Sequence, residues 1–201
     1  MLALNEDGGQ TAPRILLLDD DGANVEWGWF GRLSLSSETV LFLRNIGIDT
    51  VRDTGDLDTR HLVFDRCWWA DSFASDLLVR FHQLETLVLF ETESYDLAWL
   101  LANLPTTIRR VHLLQQGIRI DEDCRNTSIV LPRLESFTFT WLRPDREPQR
   151  LADANSDALT DMQETMKSLV DAPKCTFKYL HSTKWPEHAL AEAMEELKLD
   201  V

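Results

Sequence analysis

Leu84-Glu85-Thr86-Leu87-Val88-Leu89 is the stretch that decides how this chain is read, because its three apolar positions return at a steady interval. The same first, fourth and sixth places are apolar in Ile108-Arg109-Arg110-Val111-His112-Leu113 and in Leu134-Glu135-Ser136-Phe137-Thr138-Phe139. Two apolar residues two apart lie on one side of an extended strand, so each copy predicts a strand with a buried side. Self-similarity at a period of about 20 to 50 residues signals stacked supersecondary units, none of which buries its own apolar face alone.

Weaker copies lie around these three, at Ala12 to Leu17, Ser37 to Phe42, Thr59 to Phe64 and Lys174 to Tyr179. The last anchors then fall at Leu17, Phe42, Phe64, Leu89, Leu113, Phe139 and Tyr179, with steps of 25, 22, 25, 24, 26 and 40 residues. Three places beyond each anchor stand Asp20, Asn45, Cys67, Thr92, Gln116, Leu142 and Ser182. All but Leu142 are small or polar, as expected where a side chain must satisfy backbone groups at the turn leaving a strand.

Between the strands, Ser72 to His82 and Tyr95 to Asn103 are predicted as short amphipathic helices. A longer helix is expected from Ser156 to Val170, with Leu159, Met162, Met166 and Leu169 on one face, as an insertion in the last repeat. Arg143 to Arg150 and Asp121 to Ser128 are expected as surface loops. The predicted organisation is a disordered or capping N-terminus over residues 1–11, one repeat domain over 12–185, and a C-terminal capping helix over 186–201 that buries Leu190, Met194 and Leu197.

The L-x-x-L-x-L copies, with Asn45 and Cys67 at the turn position, resemble leucine-rich repeats, most nearly the irregular repeats that follow F-box segments in fungal proteins. The resemblance spans about residues 12–185 and implies an α/β fold: a short, arc-shaped, leucine-rich-repeat-like solenoid with a parallel sheet of about 6–7 strands and helices on the convex side. In that family the concave sheet recognises proteins and, where an F-box is present, delivers them to a ubiquitin ligase. No F-box segment precedes the repeats in this sequence.

On this register the concave side carries Arg60, His61, Val63 and Asp65, then Glu85, Thr86, Val88 and Phe90, then Arg109, Arg110, His112 and Leu114, then Glu135, Ser136, Thr138 and Thr140. Arg60, His61, Arg109, Arg110 and His112 form a basic band beside Phe90, Leu114 and Trp141, a mixture of cationic and aromatic groups enriched at interface hot spots. These eight residues are the predicted partner-binding set, suited to an acidic or phosphorylated protein segment. The opposing expectation is that Glu85 and Glu135 neutralise the arginines across neighbouring strands.

Composition narrows the partners further. Thirty-four acidic against 20 basic residues give a net charge of -14, which repels a phosphate backbone, so no nucleic-acid partner is expected. The longest apolar runs fall short of the roughly 20 residues a bilayer requires, and residues 1–12 lack the basic and apolar regions of a secretion signal. The expectation is an intracellular protein, cytoplasmic or nuclear, without a membrane partner. Cys67, Cys124 and Cys175 are widely spaced, with no Cys-x-x-Cys pair, so reduced thiols and no metal or cofactor are expected. The first strand starts close to residue 12 without an evident cap, which makes it a candidate assembly edge for a homodimer or complex.

One stretch suggests chemistry instead. Ile15 to Leu18 followed by Asp19-Asp20-Asp21-Gly22 resembles the first motif of haloacid-dehalogenase-type phosphatases. The resemblance implies Asp19 as nucleophile, Asp21 as general acid/base and a Mg²⁺ ion between phosphate and carboxylates. The rest of that site finds only loose matches, Thr140 and Lys184, and the alternative expectation is a polar turn leaving the first strand. The expected function is therefore a non-catalytic protein-interaction or adaptor module, with the phosphatase as the alternative.

Overall fold

A computed structural model describes residues 15–19, 40–48, 58–69, 78, 80–91, 97–115, 131–143, 164, 175–181, 190–191 and 194–195. The chain is α/β, built on a parallel sheet. Among the described residues its strands are β1 (Ile15–Asp19), β2 (Val40–Arg44), β4 (His61–Asp65), β6 (Thr86–Phe90), β7 (Arg110–Gln115), β8 (Ser136–Arg143) and β9 (Cys175–His181). They lie in chain order, each parallel to the next. Two shorter strands, β3 (Gly47–Ile48) and β5 (Trp68–Trp69), pair with each other in a second small sheet.

Parallel neighbours require the chain to return between strands, and helical residues lie in those returns. Leu78 is helical before β6, α1 (Leu97–Ala102) lies between β6 and β7, and Glu164 is helical between β8 and β9. Leu100 and Leu101 of α1 are fully buried while Ala102 is exposed, so the short helix has a buried face. Near the C-terminus Leu190, Ala191, Met194 and Glu195 are helical, with Leu190 and Met194 buried and the other two exposed. Of the loop predicted over 143–150, Arg143 is instead the last residue of β8, and its remainder, the predicted loop 121–128 and the N-terminal segment 1–11 lie outside the described residues.

The same local structure brackets successive strands. Before β6, β7 and β8 a turn closes with Leu84 N donating to Phe81 O, Ile108 N to Pro105 O and Leu134 N to Leu131 O. Leu84, Ile108 and Leu134, the first anchors of the three copies, are buried by these turns. After β2, β4 and β6 the chain leaves through Asn45, Arg66 and Glu91, with φ of 51°, 53° and 42°. Their amides continue the ladder, donating to Asp65 O, Phe90 O and Leu114 O. Asn accommodates the left-handed conformation readily, whereas Arg66 and Glu91 hold it against a cost of about 1–2 kcal/mol each.

The register corrects the alignment at both ends. Leu43, Phe64, Leu89, Leu113 and Phe139 form one continuous row, reached from Leu18 on β1 and continued to Phe177 on β9. The anchors expected at Leu17 and Phe42 are one residue early, and the one expected at Tyr179 is two residues late. A slip of one exchanges the two sides of a strand, and Phe42 accordingly stands in the row of Val63 and Val88. Ile15 to Leu18 and Val40 to Leu43 are apolar throughout, so alternation marks no side there. A slip of two preserves the side, which is why Cys175-Thr176-Phe177-Lys178-Tyr179 aligns equally well either way.

Cys67 keeps its expected role: it is buried, and its Sγ donates to Leu43 O of the neighbouring strand at 3.3 Å. Its counterpart is Ile46, three residues beyond Leu43, rather than Asn45, which matches Arg66 and Glu91. Ile46 fills the equivalent place with an apolar side chain that is fully buried.

Candidate functional site

The N-terminal ends of β4, β6, β7 and β8 carry a repeated backbone device. Arg60 O accepts from both Glu85 N and Thr86 N, Glu85 O from Arg109 N and Arg110 N, and Arg109 O from Glu135 N and Ser136 N. One carbonyl facing two successive amides stacks Arg60, Glu85, Arg109 and Glu135 across the sheet, one strand spacing of roughly 4.8 Å apart. Charge alternates along this row. Arg60 Nε lies 3.8 Å from Glu85 Oε1, Arg109 Nε 3.9 Å from Glu85 Oε2, and Arg109 Nη1 2.9 Å from Glu135 Oε1. Arg60 and Arg109 therefore belong to a charge ladder rather than to an open basic band.

The next row holds His61, Thr86, Arg110 and Ser136 in register. His61, Arg110 and Ser136 are half-buried and Thr86 is 1% exposed. Deeper along the strands the same side carries Phe42, Val63, Val88, His112 and Thr138, then Arg44, Asp65, Phe90, Leu114 and Thr140. Of these, Phe90 and Leu114 are 1% exposed, His112 4%, and Val63 and Val88 fully buried. Alternation assigns residues to a side, not to solvent, and a block of apolar groups on a sheet gains by leaving water. Phe90, Leu114 and His112 are thus not surface contacts in this structure.

Trp141 stands beside Gln115 and Tyr179 in register, one step past the Leu114–Thr140 pair. It belongs to the alternation set of Phe139 rather than that of Thr140, and its side chain lies outside the described residues. Of the eight predicted residues, the structure brings Arg60, His61, Arg109 and Arg110 together at one rim of the sheet. It separates from them the buried group of Phe90, His112 and Leu114.

The sequence places Asp65 among the outward-facing residues, and the structure gives it a different place. It is 1% exposed and held by two arginines: Arg44 Nε reaches Oδ2 at 2.5 Å, and Arg66 Nε reaches Oδ1 at 2.9 Å. Arg44 also lies 5.1 Å from the centre of the Phe42 ring. Asp19, the candidate nucleophile, ends β1 beside Arg44 in register, while Asp21 lies outside the described residues. Among the described residues no three of His, Cys, Asp and Glu gather where a metal ion would need them. No described helix is long and apolar enough to cross a membrane.

Compared with protein families, with curated proteins and with solved structures, the chain gives no match.

Proposed function

We propose that the chain is a leucine-rich-repeat-like solenoid acting as a protein-interaction module, and that it meets its partner along the N-terminal rim of the sheet. The observation that carries this reading is the strip Arg60/His61, Glu85/Thr86, Arg109/Arg110, Glu135/Ser136, in which equivalent positions of four successive strands stand in register. Apart from Thr86 every member of the strip is half-buried or exposed, so the rim combines fixed backbone with reachable polar side chains. Four strands at about 4.8 Å spacing span roughly 14 Å, a length suited to a few residues of an extended segment.

Repeat proteins bind along surfaces made of equivalent positions of stacked units. The in-order parallel sheet, the recurring turn before β6, β7 and β8, and the recurring exit after β2, β4 and β6 support the repeat reading. The phosphatase alternative draws less support. Sites in open α/β sheets form where strand order reverses, and the described strands run in order without reversal, with β1 and its Asp19 at one edge.

The test is affinity purification of the tagged protein from its native cell extract, comparing the unmodified chain with Arg60→Ala/Arg110→Ala by mass spectrometry. A specific protein recovered with the first and lost with the second, at equal thermal stability, is the expected result. A partner retained equally by both moves binding off this rim.

A further inference from the structure

The two outer strands of the large sheet differ in composition. β9, at one edge, carries Lys178 and His181 among its seven residues, the kind of interruption that keeps an edge from pairing with another chain. β1, at the other edge, begins Ile15-Leu16-Leu17-Leu18 and meets its first charge at Asp19. In composition it resembles β2, Val40-Leu41-Phe42-Leu43-Arg44, which lies between two strands and buries its first four residues. An uninterrupted apolar run belongs to a strand inside a parallel sheet. Among the described residues β1 has one neighbour, β2.

Register shows what a second neighbour would continue. Leu16 and Leu18 extend the rows of Leu41 and Leu43, while Ile15 and Leu17 extend those of Val40 and Phe42. These four β2 residues are at most 3% exposed, so apolar rows reach β1 on both sides of the sheet. A cover laid on one side would leave the outward backbone groups of β1 without partners. An added strand satisfies them and lengthens both rows.

Charge selects the added strand. In sequence β1 is preceded by Arg14 and ends at Asp19, with Asp20 and Asp21 following. A parallel copy would set acidic end against acidic end, which is destabilising. An antiparallel copy, turned about a two-fold axis, brings each acidic end to the Arg14 end of the other, so the strand is complementary to itself. We infer that the protein forms a homodimer through β1, the two strands pairing antiparallel about Leu17. Leu16 of one copy then lies opposite Leu18 of the other, and the two Asp19 stand at opposite ends of the joint. The net charge of -14 opposes association at long range, but physiological salt screens exposed charges beyond about 8 Å. The inference goes beyond the rim reading, since the edge at β1 is separate from the strip on β4, β6, β7 and β8.

Light scattering on the isolated full chain at micromolar concentration should give twice its 23.1 kDa mass. In a dimer mixed from labelled and unlabelled chains, NOEs between copies should link Leu16 to Leu18 and Leu17 to its own counterpart. Arg14→Glu should weaken dimerisation by about tenfold, because the surface pair is lost twice across the axis. Arg14→Glu/Asp20→Lys, which exchanges the two charges, should restore it. A monomeric mass overturns the inference, and slow amide exchange in β1 of that monomer would assign the edge to another segment of the same chain. A dimer indifferent to Arg14→Glu, one that the exchanged pair does not restore, or NOEs that link other residues would each overturn it as well by placing the contact elsewhere.

Discussion

A carboxylate as deeply buried as that of Asp65 persists because donors reach both its oxygens from Arg44 and Arg66. The two arginine side chains are 32% and 41% exposed, so water shares their charge while Asp65 sees almost none. Asp65→Ala removes the buried member and strands two cations at its edge, with an expected loss of about 3 kcal/mol. Arg109→Ala, which breaks the pairs of a 43% exposed arginine with Glu85 and Glu135, 27% and 60% exposed, should lose no more than about 1 kcal/mol. Urea unfolding of both variants measures the contrast, and equal losses would mean that Asp65 is not the node described. Glu91 illustrates a different residue-scale cost. Its φ of 42° strains any residue with a Cβ, so Glu91→Gly should stabilise the fold by about 0.5 kcal/mol, the gain in strain relief less the added entropy of the unfolded chain. A fall in the urea midpoint would show that the side-chain contacts of Glu91 outweigh the backbone term.

At the scale of the strand, β6, β7 and β8 were legible in the sequence, because each places apolar anchors against polar or charged neighbours and begins at a turn containing a Pro or a polar pair. The apolar runs of β1 and β2 gave no such contrast, so the pattern located the strands and missed their register by one residue. Burial of the second side was not legible either. Val63, Val88 and Phe90 alternate correctly with the anchors, yet nothing in a single strand says whether its far side meets water. The charge ladder was legible as a pairing of Glu85 and Glu135 with the arginines, since in-register positions follow directly from aligned copies. What was not legible there is that Arg109 and Arg110, expected in one band, stand in different rows: both amides donate to Glu85 O, and Arg110 is the one in register with Thr86. Val88→Asp tests the burial of the second side: an unpaired charge at a fully buried site should cost more than about 3 kcal/mol. Thr138→Asp, at a half-buried position of the same row on β8, should cost less than about 1.5 kcal/mol. Similar melting temperatures for the two variants would mean that this side is open to water along its whole width.

At the scale of the molecule, the order of strands determines how stability is shared. Each described strand of the large sheet touches the strands before and after it in the chain, and most of those steps span 21 to 26 residues, with 38 between Phe139 and Phe177. A proposed solenoid of this kind is stabilised by nearest-neighbour interfaces, so a local lesson should stay local. Phe139 is fully buried in β8 and pairs with Leu113 on one side and Phe177 on the other. Phe139→Ala removes most of that side chain at an expected cost of about 3–5 kcal/mol at its own interfaces. In a stacked architecture the loss loosens β8 and β9 first, and amide exchange should accelerate there far more than in β2 and β4. In a sheet wound around one shared core the same substitution would lower the protection of every strand by a similar factor. Native-state hydrogen exchange resolves the two cases strand by strand. A graded response falling from β9 toward β2 supports the repeat reading, and with it the idea that the rim is a row of equivalent positions. A uniform response would sink both, because rim residues that merely coincide in register would no longer be copies of one unit.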